Sequence, residues 1–254
     1  MRKNGTHSDF FCNFATCNDE EYMKTIYSRY DKTKINDLPR VVFDGRIFVI
    51  TTEGEADKAV AYLRDAEMLG IDTETRPVFQ RKQRAIVSLL QLSTHDTCFL
   101  FRLNIMGVPD SVKQLLEDES IPKIGLSLHD DVHSLSQRMN FTPGAFYDLQ
   151  DHFKEIGVKD LSLQKLYANV FGEKISKGQR LSNWDADVLK ESQKEYAATD
   201  AWACLKLYEE LKRLKETDDY KLVVVPEPDI LKTDDKAKET ATDNPDTYKH
   251  NDNI

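Results

Sequence analysis

Long apolar stretches are missing from this 254-residue sequence. Hydrophobic residues make up 40% of it and the mean hydropathy is -0.57, yet no run approaches the roughly 20 apolar residues that span a bilayer. Residues 1–14 include two basic residues but no apolar segment of signal-peptide length. We therefore expect a packed core, no membrane association and a cytoplasmic location.

Cysteine is scarce as well, with residues only at Cys12, Cys17, Cys98 and Cys204. No C-x-x-C pair occurs, and the spacing of Cys12 and Cys17 lacks the second ligand pair that a zinc site needs. The pattern argues against both a disulfide scaffold and a zinc site, so we expect reduced thiols. Cys204 lies in the apolar register of a predicted helix and is expected in the core.

An excess of basic residues is also missing, since the net charge is -9. Such a charge by itself argues against a nucleic-acid partner. Its distribution weakens that argument, because eleven acidic residues and only five lysines lie from Glu216 onward, in a segment rich in Thr, Asp, Asn and Pro. We predict an N-terminal extension over residues 1–38, a folded domain over 39–215 and a disordered acidic tail over 216–254.

Periodicity predicts an α/β fold. The runs AIVSLLQLS and TCFLFRL, separated by THD, are typical of an antiparallel hairpin. The predicted order is strand, helix, three strands, helix, strand and helix, followed mainly by helices, which indicates a mixed sheet between helices. We also predict a short helix around residues 19–30, and a helix at DSVKQLLEDES capped by Asp110 or Ser111.

Two acids share one face of a predicted strand. In GIDTET, Asp72 and Glu74 are two residues apart, so their side chains leave the same face while Thr73 points to the other. Adjacent carboxylates repel each other, and a divalent cation held by oxygen ligands would offset that repulsion. The alternative is that both acids simply begin a solvated loop.

Two further acidic positions have structural explanations as well. Asp130 and Asp131 follow the strand KIGLSL and open a helix, where acids either cap free amides or serve a site. In YAATDAWACLKLY, Tyr196 and Asp200 are one helical turn apart and project from one face. Alone, such a pair is usually a packed ring and a solvated charge. Trp184 is interpreted as a packing residue.

Together, IDTET, GLSLHDDVHSL and YAATDAWACLKLY resemble the three motifs of the D-E-D-D superfamily of 3′–5′ exonucleases. Tyr196 matches the D-E-D-D-Y branch, which includes ribonuclease D and the Werner-type exonuclease domain. The sister branch has a histidine where this chain has Glu195. The resemblance covers roughly residues 45–212, is greatest to the Werner-type domain over 162–203, and implies a ribonuclease H-like fold.

The resemblance implies a role for each matching residue. Asp72, Glu74 and Asp200 resemble the ligands of a metal beside the attacking water, and Asp72 also bridges to a second metal. Asp131 resembles the remaining acid, although the adjacent Asp130 leaves open which of the two faces the metals. Tyr196 resembles the group that orients or helps deprotonate the water.

These roles imply a metal-dependent 3′–5′ exonuclease with two divalent ions, Mg²⁺ or Mn²⁺, which releases nucleoside 5′-monophosphates from a free 3′ end. DNA is the favoured substrate. Two alternatives stay open: a ribonuclease D-like enzyme that trims RNA, and a nucleic-acid-binding module without catalysis. The intact set of carboxylates argues against a module without catalysis. Buried acids repel one another, and without a cation nothing would favour keeping all of them.

Basic residues near the motifs are candidates for phosphate binding. The acid-free stretch RPVFQRKQR begins two residues after Glu74, and Lys174, Lys177 and Arg180 form a second basic group before the last helix. Solvated loops explain both groups equally well. The candidate substrate-binding residues are Arg76, Arg81, Lys82, Arg84 and Lys177.

Overall fold

The computed structural model of the protein describes residues 23–76 and 86–227. The strands in these ranges are β1 (Lys24–Tyr27), β2 (Arg46–Ile50), β3 (Leu69–Thr75), β4 (Val87–Ser93), β5 (Thr97–Arg102), β6 (Lys123–Gly125), β7 (Phe146–Asp148) and β8 (Tyr220–Val223). The helices are α1 (Lys32–Ile35), α2 (Glu53–Leu63), α3 (Leu103–Met106), α4 (Asp110–Glu117), α5 (Leu128–Ser136), α6 (Leu149–Glu155), α7 (Leu163–Phe171) and α8 (Glu191–Thr217).

A six-stranded sheet lies at the centre, with the strand order β2-β5-β4-β3-β6-β7. β4 runs antiparallel to both of its neighbours, β3 and β5, and the other pairs are parallel. Every residue of β4 is buried, as expected of a strand covered on both faces. The mixed sheet between helices and the hairpin of β4 and β5 are therefore confirmed.

Alternation along β4 divides its apolar side chains between two layers. Leu90 belongs to a cluster that also contains Leu63 of α2 and Leu115 of α4. Leu89 belongs to a cluster with Ala198 of α8. The 27-residue helix α8 thus covers one face of the sheet, and the shorter helices cover the other. Within residues 23–76 and 86–227, no helix combines the length and apolarity that a bilayer span requires.

α8 packs closely against β3 at Gly70. A Cβ atom at this position would lie 2.1 Å from the carbonyl oxygen of Ala201, well inside van der Waals contact. Only glycine permits this separation of strand and helix. Because Asp200 precedes Ala201, the same close approach brings its side chain beside β3.

The starts of α2 and α4 differ in how they are capped. At α2, the Thr52 side chain accepts a hydrogen bond from the Glu55 amide and the Glu55 carboxylate accepts from the Thr52 amide, a complete capping box. At α4 the expected cap at Asp110 or Ser111 is wrong. Pro109 occupies the cap position without a side-chain bond, and Asp110 begins the helix, where its charge complements the helix dipole.

The chain ends differ from the prediction. Residues 24–27, expected within a short helix, form β1, which pairs in parallel with β8. Ile26 of β1 is completely buried and packs in the cluster around α8. The boundary predicted at residue 38 therefore separates no independent extension, because β1 contributes to the core. A four-residue strand is too short for its apolar pattern to identify it.

The start of the predicted tail is also wrong. α8 continues through Thr217, and β8 follows at residues 220–223. Leu222 lies directly against Gly157, where a Cβ atom would come within 2.6 Å of its side chain. Residues 216–227 thus belong to the folded chain, while the rest of the predicted tail, residues 228–254, lies outside the described residues.

This pairing predicts the effect of two truncations. A chain ending at Asp218 should unfold at a lower temperature than the full chain, because it loses β8 and exposes Ile26, whose burial stabilises by about 1.5–3 kcal/mol. A chain ending at Glu227 should unfold at the temperature of the full chain. Thermal unfolding followed by circular dichroism checks both; equal unfolding temperatures for the two truncations would contradict a structural role for β8.

Candidate active site

Three carboxylates from β3 and α8 meet at one point. One oxygen each from Asp72, Glu74 and Asp200 lies within 4.8 Å of the others. Glu74 is 9% exposed and Asp200 is 7% exposed, while Asp72 is half-buried. The two acids of β3 share a face because strand side chains alternate, and α8 supplies the third acid from above that face.

Asp131 contacts β3 through Thr73 and lies near enough to Asp72 and Glu74 to raise the pKa values of both. The Thr73 hydroxyl donates a hydrogen bond to the Asp131 carboxylate. Thr73 thus points away from its two acidic neighbours, as expected, and contacts α5 there. The Asp130 side chain is 86% exposed, so of these two adjacent acids only Asp131 is turned toward β3.

Hydrogen bonds from backbone amides to the Asp148 carboxylate fix the start of α5. Asp148, at the end of β7, accepts from the amides of Ser127 at 3.0 Å and Leu128 at 2.8 Å. Ser127 adopts a φ of 62°, a left-handed conformation that is uncommon outside glycine. These contacts turn the chain sharply out of β6, so that Asp131 lies against Thr73.

Tyr196 lies one turn before Asp200 and faces the same cluster. Its hydroxyl interacts with the Asp200 carboxylate. The ring packs against Trp184, with 6.1 Å between the ring centroids. Trp184 is completely buried, which confirms its interpretation as a packing residue and holds the Tyr196 ring in place. Cys204, one turn after Asp200, is buried as expected.

Burial and mutual repulsion raise the pKa values of the carboxyl groups. Burial raises the pKa of Glu74 to about 9, with additional effects from Asp200 and Asp131. Burial raises the pKa of Asp200 to about 7 against the opposing effects of Tyr196 and Lys177. The pKa of Asp72 lies well above its usual range because of burial and the neighbouring acids. The site is therefore a cluster of carboxyl groups whose negative charges are only partly compensated by neighbouring groups.

Two cations lie near the acids. Arg180 favours the charged form of Glu74, and Lys177 favours that of Asp200. Partial burial and nearby cations, Arg180 first, lower the pKa of Lys177. The structure thus brings Lys177 to the cluster. Arg180, which belongs to the same basic group but was not among the candidate substrate-binding residues, lies beside it because only two residues of the same loop separate the two.

Arg76, another predicted substrate-binding residue, is paired with a different acid. Arg76 forms an ion pair with Asp185 at 3.8 Å, and Asp185 also accepts a hydrogen bond from Ser88 at 2.6 Å. Three further predicted residues lie outside the described residues: Arg81, Lys82 and Arg84.

The donor set fits a divalent cation. Carboxylate oxygens are the ligands that Mg²⁺ and Mn²⁺ prefer. The pKa values show that the acids resist simultaneous ionisation, because burial removes the water that would otherwise stabilise their charges. A bound divalent cation would remove that obstacle. Asp72, Glu74 and Asp200 are placed to hold it.

The fold is a mixed sheet with buried carboxylates on a central strand. A helix packed on that strand supplies a further acid. This combination defines the ribonuclease H-like nucleases. A family model described as 3′–5′ exonuclease matches residues 47–216. This match covers more than half of the chain, so the chain belongs to the 3′–5′ exonuclease family. Members of this family are hydrolases that depend on divalent metal.

Curated relatives share this region. The mouse bifunctional 3′-5′ exonuclease/ATP-dependent helicase WRN is 35% identical over 161 residues, which cover 61% of this chain and 12% of that protein. The chain thus spans only a small part of the mouse protein's length. A 3′-5′ exonuclease of Arabidopsis thaliana is 29% identical over 210 residues, which cover 76% of this chain and 73% of the relative.

A solved structure extends the comparison to an RNA complex. Trypanosoma brucei RNase D, determined in complex with RNA U12, is 26% identical, with a TM-score of 0.59. The match covers 66% of this chain and 63% of the trypanosomal chain. The fold is therefore shared with an enzyme whose structure was determined with RNA bound.

The raised pKa values predict how the metal-free protein responds to pH. A carboxyl group with a raised pKa in the folded state binds its proton more tightly there than in the unfolded chain, so stability is lost as pH rises. The loss should extend from just above pH 4, the ordinary carboxyl range, to about 9, the pKa of Glu74. In EDTA, the unfolding temperature should therefore fall from pH 5 to pH 9.

The variant Glu74→Gln provides the comparison, because it removes one titrating acid while keeping the side-chain volume. Its unfolding temperature should fall less over the same pH range. Parallel profiles for the wild type and Glu74→Gln, measured by scanning calorimetry, would show that Glu74 is not a buried acid with a raised pKa.

Proposed function

We propose that this protein removes nucleotides one at a time from the 3′ end of a nucleic acid, with DNA as the favoured substrate. Water adds to the terminal phosphorus, the bond from phosphorus to the 3′ oxygen breaks, and a nucleoside 5′-monophosphate leaves. The chain that remains carries a new 3′ hydroxyl. The observation that carries this proposal is the meeting of Asp72, Glu74 and Asp200 in one buried cluster beside Tyr196.

The carboxylates hold the metal in this proposal. Asp72, Glu74 and Asp200 would provide direct ligands, and Asp131, which lies near Asp72 and Glu74, would complete the set. Two divalent ions, Mg²⁺ or Mn²⁺, fit four carboxylates because their charges would balance. When bound, such ions lower the pKa of water and stabilise the charge on a leaving oxygen.

Tyr196 orients the attacking water. Burial raises the pKa of Tyr196 above its ordinary value, and Asp200 and Glu74 raise it further. The hydroxyl therefore stays protonated at neutral pH and is a poor general base. It can still donate a hydrogen bond to a water or accept one from it. The packed Trp184 ring limits the positions that this hydroxyl can take.

Lys177 and Arg180 bind the phosphates of the substrate strand. Both are exposed, yet both lie close enough to the acids to favour their ionised forms. Cations at the rim of a negative cluster attract the substrate, which the carboxylates alone would repel. Arg76, Arg81, Lys82 and Arg84 remain candidates for further phosphate contacts, as the sequence suggests.

RNA is the second candidate substrate. It is favoured by the likeness to Trypanosoma brucei RNase D, whose structure is a complex with RNA. DNA is favoured by the higher identity to the exonuclease part of the mouse protein and by the Werner-type resemblance of residues 162–203. Matched DNA and RNA strands of one sequence, digested in parallel, separate the two.

The activity predicts labelled mononucleotide as the first product from a strand labelled at its 3′ terminus. Product should form with Mg²⁺ or Mn²⁺ and disappear in EDTA. Asp131→Asn should lower the rate at least about 100-fold, because it removes a charge from the site. Internal cleavage, or release from a 5′ label first, would contradict exonuclease action from the 3′ end.

Asp130→Asn is the matched control for Asp131→Asn. It makes the same chemical change one residue away, on a side chain that is 86% exposed. Its rate should stay within about threefold of the wild type. A larger loss in Asp130→Asn than in Asp131→Asn would assign the fourth carboxylate to Asp130 instead.

Tyr196→Phe tests orientation of the water separately from metal binding. The ring keeps its packing against Trp184, and only the hydroxyl is lost. The catalytic rate should fall by about 10²- to 10⁴-fold, the range of a positioned proton-transfer group. The Mg²⁺ concentration that gives half the maximal rate should hardly change. An unchanged rate would return Tyr196 to a packing role, and a rate restored by more Mg²⁺ would indicate metal binding.

A further inference from the structure

Gln91 is a buried amide at the centre of β4 whose side chain makes no hydrogen bond within residues 23–76 and 86–227. It is completely buried, and neither its amide nitrogen nor its amide oxygen has a partner among the described residues. A buried polar group without a partner destabilises the folded state. A core residue of the same size without polar atoms would avoid this cost, so the presence of an amide here calls for an explanation.

The register of the sheet places Gln91 beside the carboxylate cluster. In the antiparallel pairing of β3 and β4, Gln91 is directly opposite Asp72. Residues directly opposite each other point to the same face, with their Cβ atoms about 5 Å apart. The Gln91 side chain therefore shares the face that carries Asp72 and Glu74, beneath α8.

Ser93 follows Gln91 on the same face of β4, but its hydroxyl donates a hydrogen bond to the Thr94 carbonyl at 2.8 Å, and two further neighbours of Gln91 are apolar. Leu100 lies opposite it on β5, and Leu89 precedes it on the same face of β4, opposite Glu74. Neither leucine side chain can accept or donate a hydrogen bond. Among these cross-strand neighbours, the Asp72 carboxylate is the group whose chemistry complements an amide N–H.

We propose that Gln91 is a positioning residue for Asp72: when a metal holds Asp72 in its ionised form, the Gln91 amide nitrogen, which has no partner among the described residues of the metal-free protein, donates a hydrogen bond to the Asp72 carboxylate and fixes the direction in which that ligand points. This inference rests on the proposed function, in which Asp72 is a metal ligand. Rotation about the three side-chain bonds of glutamine brings the amide to the carboxylate without movement of the backbone. The amide supplies a donor and adds no fifth negative charge to the cluster.

An amide that orients a ligand explains why an unpaired polar group is kept in the core. Groups that hydrogen-bond to metal ligands orient them, and their loss typically weakens metal affinity 10- to 100-fold. The structure thus predicts opposite effects of one substitution. Removal of the amide should favour folding of the metal-free protein and disfavour binding of the metal.

Gln91→Met tests this prediction, because methionine has a similar length and volume but no amide. In EDTA, the variant should unfold at the same temperature as the wild type or at a higher one. Its affinity for Mn²⁺, measured by titration calorimetry without nucleic acid, should fall 10- to 100-fold. Activity lost at low Mn²⁺ should return when Mn²⁺ is raised.

Leu90→Met is the matched control, since it changes the adjacent residue on the opposite face of the same strand. Its Mn²⁺ affinity should stay within about twofold of the wild type. Unchanged Mn²⁺ affinity in Gln91→Met would overturn the proposal. A lower unfolding temperature for Gln91→Met than for Leu90→Met in EDTA would also overturn it, by showing that the amide stabilises the core.

Failure of the positioning role of Gln91 can be distinguished from failure of the proposed function. A wild-type protein that binds Mn²⁺ but releases no mononucleotide would overturn the function and leave the Mn²⁺ titrations as a valid test of Gln91. A wild-type protein that is active, together with a Gln91→Met variant of equal Mn²⁺ affinity, would overturn only the positioning role.

Discussion

The close packing of α8 on β3 is the constraint on which this site depends. At Gly70 the strand approaches the helix so closely that a Cβ atom would lie 2.1 Å from the Ala201 carbonyl oxygen. That approach brings Asp200 to Asp72 and Glu74. Any larger residue at Gly70 would push the helix away, and the distances within the cluster would grow with it. Packing and chemistry are thus set by the same contact.

The cost of this arrangement is electrostatic. Four acids lie near one another at a poorly hydrated part of the sheet, and burial is the first cause of every raised carboxyl pKa among them. Thr73 and Tyr196 offset part of this cost through polar contacts, and Lys177 and Arg180 offset part of it through charge. A divalent cation is the group that can offset the remainder, which links the stability of the protein to the metal that it binds.

Much of the site follows from short-range periodicity. Alternation in β3 puts Asp72 and Glu74 on one face, and the helical spacing of Tyr196 and Asp200 gives a second pair. Contacts between distant segments do not follow from such patterns. The sequence shows that Thr73 points away from the acids but not that α5 meets it there. It also does not show that β1 pairs with β8, because each strand has four residues and their partners are far away in the chain.

The release of protons on metal binding tests the central claim most directly. Titration calorimetry of the wild type with Mn²⁺ near pH 7.5, repeated in buffers of different ionisation enthalpy, measures the number of protons released. Burial and neighbouring acids raise the pKa of Glu74 to about 9, so this acid is protonated there before the metal binds. The account predicts release of about one proton or more per protein molecule. Binding of Mn²⁺ without proton release, or no binding, would contradict the claim that a divalent cation neutralises a buried, mutually repelling carboxylate cluster.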